Sequence, residues 1–290
     1  MAATGESVYA KQRAKQVESR DRKFLERLAV QPDDKKFAFK QRRSDHTFGW
    51  ERELAEQELS VLLEDIDRLQ QRLAAQASNG LLVVLQAIDA AGKDGTVRSV
   101  FGPLNASGVR VTSFKSPIGA ELGHDYLWRV HAEAPAKGEI AVWNRSHYED
   151  VLIVRVKNLV PEDQWHRRYR HIREFERMLT DEGTHIVKIN LHISNAVQRE
   201  RLQARIDDPE KRWKFRLGDL EDRKLWPKYM KAYEAAMNET STDASPWYVV
   251  PADHKWVRNL AVARILHHAL TRIDPRFPPD DPAILGVVVK

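Results

Sequence analysis

Cysteine is absent from this 290-residue chain. That excludes a disulfide framework, thiolate-bound zinc and thiol nucleophiles together. Long apolar runs are absent too: the longest, such as Leu81–Ala87, falls far short of the roughly 20 residues needed to cross a bilayer. Residues 1–20 contain no apolar stretch of the kind that marks a secretory leader. The expectation is therefore a cytoplasmic protein without a membrane partner. A large charge excess is also missing. Lys plus Arg is 47 against 42 Asp plus Glu, a formal +5. Nucleic-acid binders carry a stronger and more clustered excess, so nucleic acid is not the expected partner.

What remains is ordinary globular usage, 42% hydrophobic and 31% charged. The basic residues are unevenly placed. Segment 164–177 holds five Arg against two Glu, and segment 199–231 holds eleven Lys/Arg against seven acids. Either could meet an anionic ligand. Residues 1–48 read as a polar N-terminal extension, loosely packed, with helical-looking stretches near 18–29. Leu54, Leu59, Leu62, Leu63, Ile66, Leu69 and Leu73 recur at three- and four-residue spacing, which predicts a long amphipathic helix over 50–76. Asn79-Gly80 stops it.

The period then changes. Leu81–Leu85 reads as a strand buried on both faces. A Gly-rich turn at 89–96 leads into a helix to about Ser107. Further strands are predicted at 109–114, 139–143, 184–190 and 246–250. Helices are predicted at 119–132, from about His147, and over 161–181, 194–207, 219–238 and 254–272. The tail, 273–290, reads as irregular with a candidate edge strand at 284–289. Five strands alternating with helices predict an α/β three-layer sandwich: a mainly parallel five-stranded sheet, helices on both faces, and an inserted helical lid at about 205–240 within a domain spanning 49–272.

The strongest local signal is LLVVLQAIDAAGKDGT, residues 81–96. A buried strand, a Gly-rich turn and a helix start present backbone N–H groups to phosphate oxygens. Lys93 adds a mobile positive charge. Position 87 is Ala rather than the Gly of the standard phosphate loop, and position 94 is Asp rather than Ser or Thr. The usual magnesium-holding hydroxyl is thus displaced, while Asp89 brings an extra carboxylate. A plain strand-to-helix turn, with Gly92 and Gly95 only meeting backbone geometry, is the bland alternative. A second polar group follows the strand at 139–143. Asn144, Arg145, Glu149 and Asp150 lie just past its C-terminal end, where open α/β sheets bind ligands. A capping box of Ser146 and Glu149 is compatible with this but leaves Arg145 and Asp150 unexplained.

DAAGKDGT (89–96), SFKSP (113–117), ELGHDYLWRVH (121–131), NRSHYEDVLIVRV (144–156), RLQARIDDPEKRWKF (201–215), SPWYVV (245–250) and ADHKWVRN (252–259) occur in one order. Taken together they resemble the polyphosphate kinase 2 family over roughly residues 50–272, and NRSHYED resembles its class III subgroup, which acts on both AMP and ADP. The resemblance implies a P-loop kinase fold related to thymidylate kinases. It implies magnesium-dependent (alternatively manganese-dependent), reversible phosphoryl transfer from inorganic polyphosphate to adenine nucleotides, by a homo-oligomer, dimer or tetramer. It carries catalytic roles to Asp89, Lys93 and Arg145, and a lid-side arginine to Arg205, with Lys211 and Lys214 nearby. Many members have Asp where this chain has Asn144. The second metal ligand beside Asp89 is therefore assigned to Asp150, also taken as catalytic. The polyphosphate track is assigned to Lys93, Lys115, Arg145, Arg205, Lys211 and Lys214. Nucleotide contacts are assigned to Asp89, Gly92, Gly95, Thr96, Asn144 and Glu149. An ATP-dependent nucleoside monophosphate kinase and a non-catalytic polyphosphate or nucleotide sensor are the alternatives.

Overall fold

The computed structural model describes residues 22–32 and 36–289. Expectations for residues 1–21 fall outside the described residues. A six-stranded sheet is formed by β1 (Ala29–Val30), β2 (Gly80–Gln86), β3 (Val109–Ser113), β4 (Ile140–Asn144), β5 (Thr184–His192) and β6 (Trp247–Pro251), in the order β1-β6-β5-β2-β4-β3. Every pairing is parallel except β1 with β6. Strand β2 is buried at all seven positions, as its apolar run Leu81–Leu85 requires, and its last residue is the buried polar Gln86. The chain leaves β2 toward β4 and β3, then returns to its other side with β5 and β6. That reversal puts the ligand crevice of such sheets at the C-terminal end of β2. Leu85 is in register with both Asn144 and Ile189 there.

Besides a helical stretch at 22–28, long helices among the described residues frame the sheet: α1 (Arg52–Gln76), α2 (Glu162–Asp181), α3 (Asn195–Asp207), α4 (Gly218–Lys224), α5 (Trp226–Thr240) and α6 (Lys255–Ile273). α1 packs along α6, and α2 packs against β5 and α5. The three-layer α/β reading holds, with a sixth strand that periodicity could not reveal in a two-residue pairing.

The N-terminal extension is not a loose arm over residues 22–32 and 36–48. Phe24, Leu25, Leu28, Phe37 and Phe39 are buried, each burial stabilising by roughly 1.5–3 kcal/mol. Arg264 of α6 lies over the rings of Phe24 and Trp50. The backbone N–H groups of Phe37 and Phe39 donate to Asn238 and Glu234 of α5.

Three local expectations fail. Residues 119–132 form a 3₁₀ turn, Gly119–Gly123, and one α-turn, Trp128–His131. Gly119 takes a positive φ of 55° there, which no α-helix accommodates. The helix after the phosphate loop is one α-turn, Lys93–Thr96, followed by a π-turn, Val97–Phe101. It stops at Gly102-Pro103, where Pro103 has no N–H to continue the ladder. Residues 285–289 form no strand.

Candidate active site

The loop after β2 is built on a left-handed turn. Ala90 has φ 65° and Gly92 φ 109°. A left-handed alanine is costly and marks a backbone held in place by its surroundings. Three side chains do the holding. Gln198 Nε2 donates to the Asp89 carbonyl at 3.0 Å. Arg201 Nη1 donates to the carbonyls of Ala90 (3.2 Å) and Ala91 (2.9 Å), while its Nη2 reaches those of Ala252 and Asp253. Thr96 uses its hydroxyl on the Gly92 carbonyl, so it serves the turn rather than facing a ligand. Gln198 and Arg201 lie three residues apart on one face of α3, and α3 is capped by the Ser194 hydroxyl.

Lys93 is buried and donates to the Ala87 carbonyl at 2.7 Å. An ammonium has three protons, so two remain for phosphate oxygens. Burial lowers its pKa to about 8, aided by the nearby Arg145 and opposed by Asp89, Glu149 and Asp94. Asp89 accepts from Arg145 Nη2 at 2.6 Å. Burial pushes the Asp89 carboxyl up, but Lys93, Arg145 and Arg205 outweigh it and hold the pKa below the usual carboxylate value. Arg145 also has a left-handed φ of 65°. Its N–H donates to the Leu85 carbonyl, which fixes the start of this loop to β2.

Asn144 Nδ2 donates to Asp94 at 2.7 Å and so joins the second loop to the first. The capping reading is half right: the Ser146 hydroxyl accepts from the Tyr148 N–H. Glu149 is not its reciprocal partner. It accepts instead from the Gln86 amide at 3.0 Å. Burial raises the Glu149 pKa, while Arg145 and Lys93 pull it down.

Asp150, assigned above as the second metal ligand, stands elsewhere. It accepts from Arg168 Nη1 at 2.9 Å, and the charges acting on it are Arg168, Arg129 and Glu149. Burial lifts its pKa to about 6. The residue expected at the nucleotide, Glu149, is the one that shares the electrostatic neighbourhood of Asp89 and Lys93. The segment His147–Asp150 is a 3₁₀ turn. Its tighter winding turns Glu149, not Asp150, toward the loop.

Arg205 is half-buried against Asp219 and acts on Asp89. Lys214 lies beside it, its carbonyl accepting from Arg205. Lys211 is exposed and tied to Asp208. Lys115 is exposed, and its backbone carbonyl holds Arg129. Neither joins the cluster. In the arginine-rich helix, Arg167 pairs with Asp163, Arg170 with Glu174 and Arg173 with Glu239. Glu176 turns inward to Lys188.

Asp89 and Glu149 offer oxygen donors beside a phosphate cradle. Among the described residues no group of three or more His, Cys, Asp or Glu is arranged for a metal. Two carboxylates completed by substrate phosphates is an ordinary magnesium arrangement, so the residues fit that ion.

Gln86, Gln198, Arg201 and Arg258 were missed from the sequence. Arg258 within the motif ADHKWVRN (252–259), and Gln198 and Arg201 at helical spacing, were the available signals.

The family model described as polyphosphate kinase 2 (PPK2) matches residues 49–278. The AMP/ADP-polyphosphate phosphotransferase of Meiothermus ruber is 54% identical over 268 residues, covering 92% of this chain and 100% of the relative. The ADP-polyphosphate phosphotransferase of Rhodopseudomonas palustris is 45% identical, covering 78% of this chain and 82% of the relative. The crystal structure of polyphosphate kinase 2 from Arthrobacter aurescens TC1 superposes with a TM-score of 0.83 at 39% identity, covering 88% of this chain and 94% of that one. With a phosphate-loop fold and similarity along nearly its whole length, the chain belongs to the polyphosphate kinase 2 family.

Proposed function

We propose that this protein moves a phosphoryl group from inorganic polyphosphate to AMP and to ADP, forming ADP and ATP. The observation that carries the reading is the cluster of Lys93, Asp89, Arg145 and Glu149 at the C-terminal end of β2, in a chain similar to phosphotransferases with those acceptors. The acceptor phosphate oxygen forms a bond to the terminal phosphorus of polyphosphate. The bridging P–O bond breaks, and the chain leaves one unit shorter as an anion. Both oxygens are already ionised, so little proton chemistry is needed, and catalysis reduces to alignment and charge neutralisation. Phosphoanhydrides on both sides make the step reversible.

In this reading Lys93 and Arg145 neutralise the transferring group. Asp89 holds the Arg145 guanidinium in line. Arg205, with Lys214, brings charge from the lid, whose closure excludes water. Asp89 and Glu149 would hold a magnesium ion, whose chemistry there would be to neutralise phosphate charge. Asn144 and Glu149 face the acceptor. A cytoplasmic setting and a homo-oligomeric state belong to the same proposal.

The test combines long-chain polyphosphate, magnesium and AMP without ATP, with products separated by chromatography. ADP followed by ATP supports the reading. Activity only with ATP as donor returns the protein to the ordinary nucleotide kinases. Asp89→Asn should cost at least about a hundredfold in kcat, and near-normal turnover would remove Asp89 from the mechanism.

A further inference from the structure

Behind the phosphate loop lies a cation that this scheme does not use. Arg258, in the first turns of α6, is 3% exposed. Its guanidinium fills the hollow left by two glycines. A Cβ on Gly92 would stand 1.9 Å from Arg258 Nη1, and one on Gly95 would stand 3.2 Å from Nη2. Its side-chain hydrogen bonds, from Nε and Nη2, both end on the neutral Asn259 oxygen. The charge that acts on it is another cation, Arg201, whose own hydrogen bonds go to backbone carbonyls.

Among the described residues no carboxylate pairs with Arg258, and a buried arginine without a counter-ion is unusual, because the desolvation of the charge goes uncompensated. The same helix supplies the contrast. Arg264, 6% exposed, pairs with Glu58. Filling the hollow under Gly92 explains a long side chain but not a charge. Methionine would pack there as well. Burial lowers the Arg258 pKa only to about 10, so the group remains cationic at neutral pH.

We propose that Arg258 is a positioning cation for phosphoanion binding, its counter-charge being the phosphate seated on the other side of the Gly92–Gly95 turn. This rests on the reading of that loop as the phosphate cradle. Glycine at 92 and 95 then has two uses: it permits the turn, and it lets a positive charge approach from behind. The unliganded protein stores an unfavourable electrostatic term that the ligand relieves. At an effective dielectric near that of protein sites, such a charge is worth roughly ten- to a hundredfold in affinity.

The experiment is thermal unfolding of the full chain with no ligand, with long-chain polyphosphate alone and with ADP alone, alongside steady-state kinetics. Ligand that binds only the folded state raises the midpoint in proportion to its affinity. Arg258→Met should unfold no lower than wild type without ligand and lose at least half of the polyphosphate-induced rise. Its polyphosphate KM should increase by roughly ten- to a hundredfold with kcat little changed. Arg258→Lys, which keeps the charge, should retain most of the rise. Loss confined to ADP would assign the counter-charge to the nucleotide phosphate instead, and loss with both to a shared cradle; either supports the proposal. A lowered midpoint without ligand together with an intact ligand-induced rise makes Arg258 a packing residue and overturns it. Arg258→Gln is carried in parallel, and both neutral variants unfolding below wild type likewise overturns it. Lys93→Ala separates the two levels. If it too keeps the full rise, the loop is not the cradle; if it loses the rise and Arg258→Met keeps it, only the present inference fails.

Discussion

Replacing Lys188 with methionine should unfold this protein in a pH-dependent way. Lys188 and Glu176 form a fully buried ion pair between β5 and α2 at 2.6 Å. The ammonium also donates to the Thr240 carbonyl at 2.7 Å and to the Tyr148 hydroxyl at 3.3 Å. Glu176 further accepts from Tyr148 at 2.7 Å and Ser245 at 3.3 Å, and His147 Nε2 stands 3.4 Å away. Removing one partner of such a pair leaves a buried charge alone, at about 3–5 kcal/mol. For a chain of this length the unfolding entropy is roughly 0.6 kcal/mol/K, so the midpoint should fall by about 5–8 °C.

In the wild type, Lys188 and His147 hold the Glu176 pKa below its ordinary value. That contribution to stability is present above the unfolded-state pKa and is lost as pH falls through the folded one. Without Lys188, burial raises the Glu176 pKa instead. The folded variant then gains by taking up a proton, and its deficit grows as pH rises through the new pKa. Loss relative to wild type should therefore be larger at pH 8 than at pH 5.5, measured by thermal and urea unfolding. Adding Glu176→Gln should recover about 2 kcal/mol or more, a coupling visible in a double-mutant cycle. A loss below about 1 kcal/mol at pH 8, or one flat with pH, would refute the reasoning.

Other consequences follow from the same charges. With Lys93 at a pKa of about 8 in the free protein, kcat/KM for polyphosphate should fall above pH 8, since that parameter reports free-enzyme groups. Lys93→Arg should lose this limb, whatever its residual rate. Asp150, raised to about 6 by burial and by the nearby Glu149 over the opposing charges of Arg168 and Arg129, binds a proton more tightly in the folded state than in the unfolded one. Its contribution lowers stability as pH rises from about 4 to 6, by at most about 1.4 kcal/mol per pH unit. Asp150→Asn should flatten that segment of a stability–pH curve, while costing phosphotransfer far less than Glu149→Gln does. Gly92→Ala places a Cβ 1.9 Å from Arg258 at a φ of 109°, so it should lower the midpoint by several degrees and abolish transfer; a wild-type midpoint would show that the turn can move aside.

Much of this was readable from the sequence because local physics sufficed. The buried run Leu81–Leu85, the Gly-rich turn and Lys93 define the cradle without knowledge of anything distant. Long helices over 52–76, 162–181 and 255–273 follow from apolar spacing. The pairing of Ala29–Val30 with β6 did not, since two residues carry no period. Nor did the supports of the loop. Gln198 and Arg201 reach it across more than a hundred residues of sequence, and Arg258 shows only as one of several polar residues in ADHKWVRN (252–259). Tertiary electrostatics leaves no local spacing to detect.

The structure sets Glu149 beside Asp89 and Lys93, and Asp150 against Arg168, and the turn between them explains the difference from the α-helical expectation. An α-turn advances each side chain by about 100°, a 3₁₀ turn by about 120°. Over the four residues from the Ser146 cap to Asp150 that difference accumulates to roughly 80°, enough to exchange which of two adjacent acids looks back at β2. What selects the tighter turn is not in the motif. Tyr148 is drawn inward to Glu176 and Thr240, Ser146 bonds the Tyr148 N–H, and Gln86 takes Glu149. The buried Lys188–Glu176 pair thus bears on the active site through Tyr148, one residue from Glu149. Loosening that pair should therefore do more than lower the midpoint. In Lys188→Met assayed well below its unfolding temperature, kcat should fall while polyphosphate KM, set by Lys93 and the loop, stays near wild type. Equal kcat in the two proteins would show that Glu149 keeps its aim without the network, and that the 3₁₀ turn is fixed by its own backbone.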